Sequence, residues 1–250
     1  MMIYYKSFFS LILLLLGQTI DARLPRQSMN EISQKVGCTG ANQLVCERIV
    51  KRHLIRDIKN CQIDPAHLQQ APELLIKSKK INGRVLGSNS YLGFFPGIYS
   101  YEWNVLPNGG INITANVHFI NHKSHNQETL KSMQDKLNQA ALRWSAFNPY
   151  PYPVSFTFNL SKPKVRKDVR ATLIEKNTRG PYFLFWTTLW GDKTISHEMG
   201  HVMGLDDEYS NTPFPELTYC DRSSIMCASS SGTPFPFHYY LIMRRLLCKI

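Results

Sequence analysis

Long apolar runs are scarce in this sequence. Beyond Phe8–Leu16, no stretch approaches the roughly 20 residues that a membrane-spanning helix needs. There is no internal repeat and no low-complexity tract, which removes collagen and coiled-coil classes. A glycine-rich phosphate loop and any nucleic-acid motif are missing as well. Acidic side chains are the depleted charge class, 18 against 29 basic, so the formal charge is +11. That excess leaves an acidic partner or surface open, but without a motif it does not name nucleic acid. Cysteine is absent between Cys61 and Cys220, and no C-x-x-C pair occurs. Zinc-ribbon and ferredoxin spacings are thereby excluded.

What is present fits a folded body. The chain has 250 residues, 43% hydrophobic and 19% charged. That allows one or two domains and a core that needs neither metal nor disulfide merely to fold. Residues 1–22 carry Lys6, the apolar run and then the small Ala22, and read as a cleaved secretory signal peptide. The expected location is therefore secreted, extracellular or periplasmic, with the mature chain starting near Arg23; an uncleaved anchor is the alternative. Six cysteines in an exported chain favour disulfides. Three lie near each end, so complete pairing requires at least one long-range bond, while Cys220 and Cys227 are spaced for a local one.

Two unequal parts are expected. Residues 23–90 hold twelve basic and five acidic side chains. Within them Val45, Ile49, Leu54 and Ile58 recur near helical spacing in a helix over 43–60. Asp64-Pro65 opens a second helix carrying Leu68, Leu74 and Leu75, and residues 77–87 form a linker or short hairpin. This part is either a helical extension packed on the main domain or an inhibitory propeptide. Residues 91–250 read as one α+β unit. Strands are expected over 111–120, 154–160 and 169–174, and a more buried one over 182–190. Leu130, Met133, Leu137, Ala141 and Trp144 mark one face of a helix over 128–147. Further helices run from Asp192 or Thr194 to Gly204 and over 237–248. The aromatic-rich stretches 99–103 and 235–240 are packing segments or a surface for a partner or sugar.

The chemistry concentrates at residues 197–209, HEMGHVMGLDDEY. His197 and His201 are four apart, so on a helix both imidazoles leave one face and can hold one zinc ion. Glu198 lies beside them and can act as general base on a water at the metal. Gly204 can take a left-handed conformation that turns the chain sharply and returns Asp207 as a third ligand. Three protein ligands leave a position open for water, the catalytic arrangement of zinc. Chance assembly of all five residues at this composition is on the order of 1 in 50,000 per chain. Asp206 and Glu208 are the alternative third ligands, or one acid there could hold a second cation such as calcium.

The segment resembles the metzincin clan of zinc endopeptidases, whose pattern His-Glu-x-x-His-x-x-Gly-x-x-His/Asp is filled by His197, Glu198, His201, Gly204 and Asp207. The aspartate in third place is similar to the snapalysin-like minority of the clan. SSIMC at 223–227 resembles the clan's methionine turn, with Met226 as its methionine. The resemblance covers about residues 111–248. It implies a metzincin-like α+β fold: a mixed twisted sheet, a backing helix, a zinc-site helix, a methionine turn and a C-terminal helix. It also implies zinc as cofactor, a protein or peptide substrate, and a substrate strand laid along a sheet edge within 182–190. Phe185, Trp186 and Trp190 there either line pockets or pack in the core. Several branches place a tyrosine two residues after the methionine, where this chain has Ala228. Tyr209 and Tyr219 are the candidate hydroxyls to stabilise the oxyanion instead.

Other readings compete. A zinc-containing binding domain without turnover is one, and a narrow amidase or cell-wall peptide hydrolase is another. Cys38, Cys46 or Cys61 could act as a latency ligand, although disulfide pairing is preferred and Cys220–Cys227 is the favoured local bridge. His53, His67, His118, His122, His125 and His238 show no metal spacing and read as surface or packing residues. Residues 192–221 hold seven acids and one lysine, an acidic zone that either steers basic substrates or is ordinary solvated surface.

Overall fold

A computed structural model of the chain describes residues 29–38, 43–57, 63–91, 95–161, 169–176, 185–208, 220–228 and 230–248. The expected signal segment, Cys61, Tyr209 and Tyr219 lie outside the described residues.

Among the described residues four helices come first: α1 (Met29–Lys35), α2 (Gln43–Asp57), α3 (Pro65–Leu68) and α4 (Ala71–Lys77). Asp64 caps α3 as its composition dictates, its carboxylate accepting the Ala66 N–H at 2.7 Å with Pro65 in the first turn. The helix expected to continue through Leu74 and Leu75 breaks at Gln69-Gln70. Pro72 has no N–H to give Leu68 and its ring would collide with that carbonyl, so α4 has to start afresh.

The short hairpin or linker expected over 77–87 is a long hairpin. Strand β1 (Asn82–Tyr91) pairs antiparallel with β2 (Phe95–Val105), from Asn82↔Asn104 to Tyr91↔Phe95. Tyr99, Tyr101 and Trp103 alternate inward along β2 while Ile98 and Glu102 face out. Gly83 and Gly87 lie opposite Trp103 and Tyr99, where a side chain would collide with the rings. Residue 90 thus lies inside a paired strand.

Strand β3 (Ile111–Phe119) organises the sheet. It pairs antiparallel with β2 and parallel with β4 (Val154–Leu160). Its C-terminal end pairs parallel with β5 (Val169–Ile174), which pairs parallel with β6 (Phe185–Thr187). The path runs β1-β2-β3-β5-β6 with β4 on the other side of β3, a mixed sheet in an α+β fold. Parallel β3 and β4 demand a crossover, supplied by α5 (Gln127–Ala146). Asn126 caps it through Thr129 N–H at 2.8 Å, and Met133, Leu137, Ala141 and Trp144 are buried, the face expected from spacing.

Among the described residues two helices complete the fold, α6 (Asp192–Val202) and α7 (Pro236–Leu247). Every residue of α7 from Phe237 to Leu247 is buried, His238, Arg244 and Arg245 included. Helices α2, α3 and α4 and strand β1 pack on it. Tyr240 Oη donates to Ile63 O at 3.3 Å and Tyr101 Oη to Ile242 O at 2.8 Å. Ile32, Val50, Leu68 and Leu75 from the first helices belong to the same core as Ile113, Leu137, Met199 and Leu241. No helix among the described residues is long and apolar enough to cross a membrane.

Disulfides staple both ends of the chain. Cys220–Cys227 is the local bridge anticipated from spacing, and Cys38–Cys46 ties α1 to α2. Cys248 is also disulfide-bonded. Such bonding belongs to an oxidising compartment.

Because α2, α3 and α4 cover α7, a chain truncated to residues 81–250 is expected to lose its cooperative unfolding transition and to bind the dye ANS. Thermal denaturation and dye fluorescence, compared with the full chain, check this.

Candidate metal centre

Helix α6 lies against the crossover helix. Trp144 Nε1 on α5 donates to Ser196 O at 2.9 Å, one residue before His197. Gly200 faces the 224–227 turn, and any Cβ there would overlap Met226 Sδ. The absent side chain is what lets that methionine sit directly under the helix.

At its C-terminus α6 ends in a Schellman motif. Leu205 N–H donates to Gly200 O at 3.0 Å and Gly204 N–H to His201 O at 2.8 Å, with Gly204 at φ +88°. Arg245 of α7, buried and 4.6 Å over the Tyr99 ring, donates to Met203 O and Gly204 O at 2.9 and 3.0 Å. It supplies positive charge and hydrogen bonds to the negative end of the helix. A Cβ at Gly204 would overlap that guanidinium.

The reversal brings Asp207 back over the histidines. Asp207 Oδ1 lies 3.2 Å from His197 Nε2 and 3.2 Å from His201 Nε2. One ligand atom from each of the three residues falls within 4.8 Å of the others. His197 Nδ1–H donates to Ile225 O at 2.7 Å, and His201 Nδ1–H to Leu205 O at 2.8 Å. Both carbonyls can only accept, so they fix the tautomer and turn each Nε2 lone pair inward. Two imidazole nitrogens and a carboxylate oxygen, aimed at one point and backed by hydrogen bonds, suit a divalent metal ion. Glu198, partly exposed on the same helix, contributes to the field at His201.

Without a cation, protons answer the same charge. Burial would depress His201, but the Asp207 carboxylate, with smaller help from Glu198 and Leu205 O, raises it to about 9. Burial would raise Asp207, yet the imidazoles of His201 and His197 hold it well below the ordinary carboxylate range.

The acids flanking Asp207 have other partners. Asp206 Oδ2 faces His53 Nε2 of α2 at 3.6 Å. Glu208 Oε1 accepts from His238 Nε2 at 2.7 Å and from Ser224 Oγ at 2.7 Å, with the Glu208 and His238 side chains each 1% exposed. Of the three acids, Asp207 alone joins the two imidazoles. His53 and His238, read from the sequence as packing or surface residues, are buried partners of acids. The sequence separation of His53 from Asp206 and of His238 from Glu208 hid them. Tyr209 and Tyr219 lie outside the described residues. At the end of the strand path, Trp186 and Trp190 pack together in the core, 5.7 Å between rings, whereas Phe185 is 41% exposed.

Gly204→Ala is expected to destabilise the protein by about 2–4 kcal/mol, from positive φ and overlap with Arg245 together; urea denaturation measures it. A second expectation concerns pH. His201, raised from 6.5 to about 9, stabilises the metal-free fold fully below pH 6.5 and less as pH climbs toward 9. Asp207, held below its usual 3.8, stabilises fully above that value and less in acid. The melting temperature in chelator should therefore plateau between these limits and fall toward pH 9. Added divalent metal should reverse the alkaline fall, because it needs neutral imidazoles. No family model, no curated protein and no solved structure matches the chain. The site is thus defined by its own geometry: a buried His-His-Asp cluster fit for a metal ion in a disulfide-bonded α+β protein.

Proposed function

We propose that this chain is a secreted zinc-dependent endopeptidase of metzincin type. The observation that carries the reading is the convergence of His197, His201 and Asp207 one residue from Glu198. Met226 beneath Gly200 and the buried α7 support it, since the clan it resembles builds its site on such a turn and helix.

The cluster would hold zinc through both Nε2 atoms and the Asp207 carboxylate. Bound there, the ion supplies Lewis acidity toward water and a peptide carbonyl. The chain's own residues do the rest. Glu198 takes the proton as water adds to the carbonyl carbon and passes it to the amine as the C–N bond breaks, leaving a carboxylate and an amine. The buried carbonyls of Ile225 and Leu205 keep the imidazoles from turning during the cycle. Tyr209 or Tyr219 is the proposed hydroxyl donor to the oxyanion. An extended peptide laid along β6 would gain main-chain hydrogen bonds, with Phe185 touching it. The acids of residues 192–221 would draw basic segments toward the cleft.

One feature favours a second reading, a zinc-binding domain without turnover: Ala228, two residues after Met226, offers no hydroxyl. An amidase of narrow range would share the same site.

Glu198→Gln is expected to keep about one zinc per chain and to lose at least 100-fold in cleavage of an unbiased peptide library. Elemental analysis and mass spectrometry of the library read the two quantities. Zinc with no cleavage in the unmodified chain would favour the binding reading, and no stoichiometric metal would sink the proposal.

A further inference from the structure

The Glu208–Ser224–His238 network is a buried carboxylate with two hydroxyl and imidazole donors, and the hydrolytic chemistry has no use for it. His238 Nδ1 accepts the Phe235 N–H at 2.8 Å, so the proton of this neutral ring sits on Nε2 and points at Glu208 Oε1, 2.7 Å away. Ser224 Oγ–H donates to the same oxygen at 2.7 Å and accepts the Met226 N–H at 3.3 Å. The Glu208 backbone N–H also donates to Met226 O at 3.1 Å. Glu208 is therefore bonded through both side chain and backbone to the turn 224–226, and through His238 to the first turn of α7.

Two consequences reach the His-His-Asp cluster. Asp207 is the residue before Glu208, so fixing Glu208 limits where the Asp207 carboxylate can swing. Ile225, between the two bonded turn residues, gives the carbonyl that orients His197. A buried carboxylate must recover its hydration through such bonds, and a core of this kind would otherwise exclude it. We infer that Glu208 is a positioning residue, which with Ser224 and His238 holds Asp207 and the His197-orienting carbonyl in register for the metal. The inference rests on the metal reading of the His-His-Asp cluster.

The test uses zinc itself as the probe, with competitive chelator titration of the full chain and its variants. Glu208→Ala should weaken zinc binding about 10- to 100-fold, and Glu208→Gln, which keeps an acceptor at Oε1, should recover most of the loss. Ser224→Ala, a smaller change that guards against misfolding of the first variant, should give a lesser loss of the same kind. A cycle with Asp207→Ala separates positioning from stability. If Glu208 works partly through its neighbour, removing it in the Asp207→Ala background should cost less than in the unmodified chain, the remainder passing through the Ile225 carbonyl and His197. An equal penalty in both backgrounds, or zinc affinity unchanged in folded Glu208→Ala, would overturn the inference. Absence of stoichiometric zinc from the unmodified chain would remove the metal reading itself and the inference with it.

Discussion

The reversal of the chain at Gly204 is the constraint on which the site depends. Had α6 continued, Asp207 would lie about 9 Å beyond His201 along the axis, far from both imidazoles. The left-handed residue ends the helix, and the end is then sealed from two sides. Leu205 O, freed by the turn, accepts from His201, while Arg245 closes on the carbonyls of Met203 and Gly204. The glycine is required twice, for its backbone angle and for the room it leaves the guanidinium. Packing and electrostatics thus make the same demand on one position.

Three consecutive acids follow that turn, and each meets a histidine from a different part of the chain: Asp206 meets His53, Asp207 meets His197 and His201, and Glu208 meets His238. Burying carboxylates is costly unless each is bonded. The arrangement meets that cost by drawing α2 and α7 to the same short segment. The His-His-Asp cluster is consequently tied to α2 and α7 as well as to its own helix, and its geometry is a property of the whole core.

Much of this was legible in the sequence. The four-residue histidine spacing, the glycine and the acid after it anticipated the site helix, its stop and the return of Asp207 to both imidazoles. Alternation located β3 and β4, and the apolar spacing of Leu130 to Trp144 located the crossover helix. The hairpin β1–β2 was obscured because NGRVLGSNSY is mostly polar and carries two glycines, which make sense only opposite Trp103 and Tyr99. The break before Pro72 is a local rule that helical periodicity overrode. His53, His238 and Arg245 could not be assigned because their partners lie far away in the chain, and pairing over such distances leaves no periodic trace.

The burial of α7 has a consequence for the order of events during synthesis. Residues 236–247 leave the ribosome long after the helices and strand that enclose them, so those earlier elements wait without their central support. The carbonyl cap from Arg245 and the His238 bond to Glu208 arrive with the same late segment. Contacts this distant in sequence form slowly and leave apolar surface open in the interim. A nascent chain therefore carries its histidines without an organised site until residues 236–247 have been made.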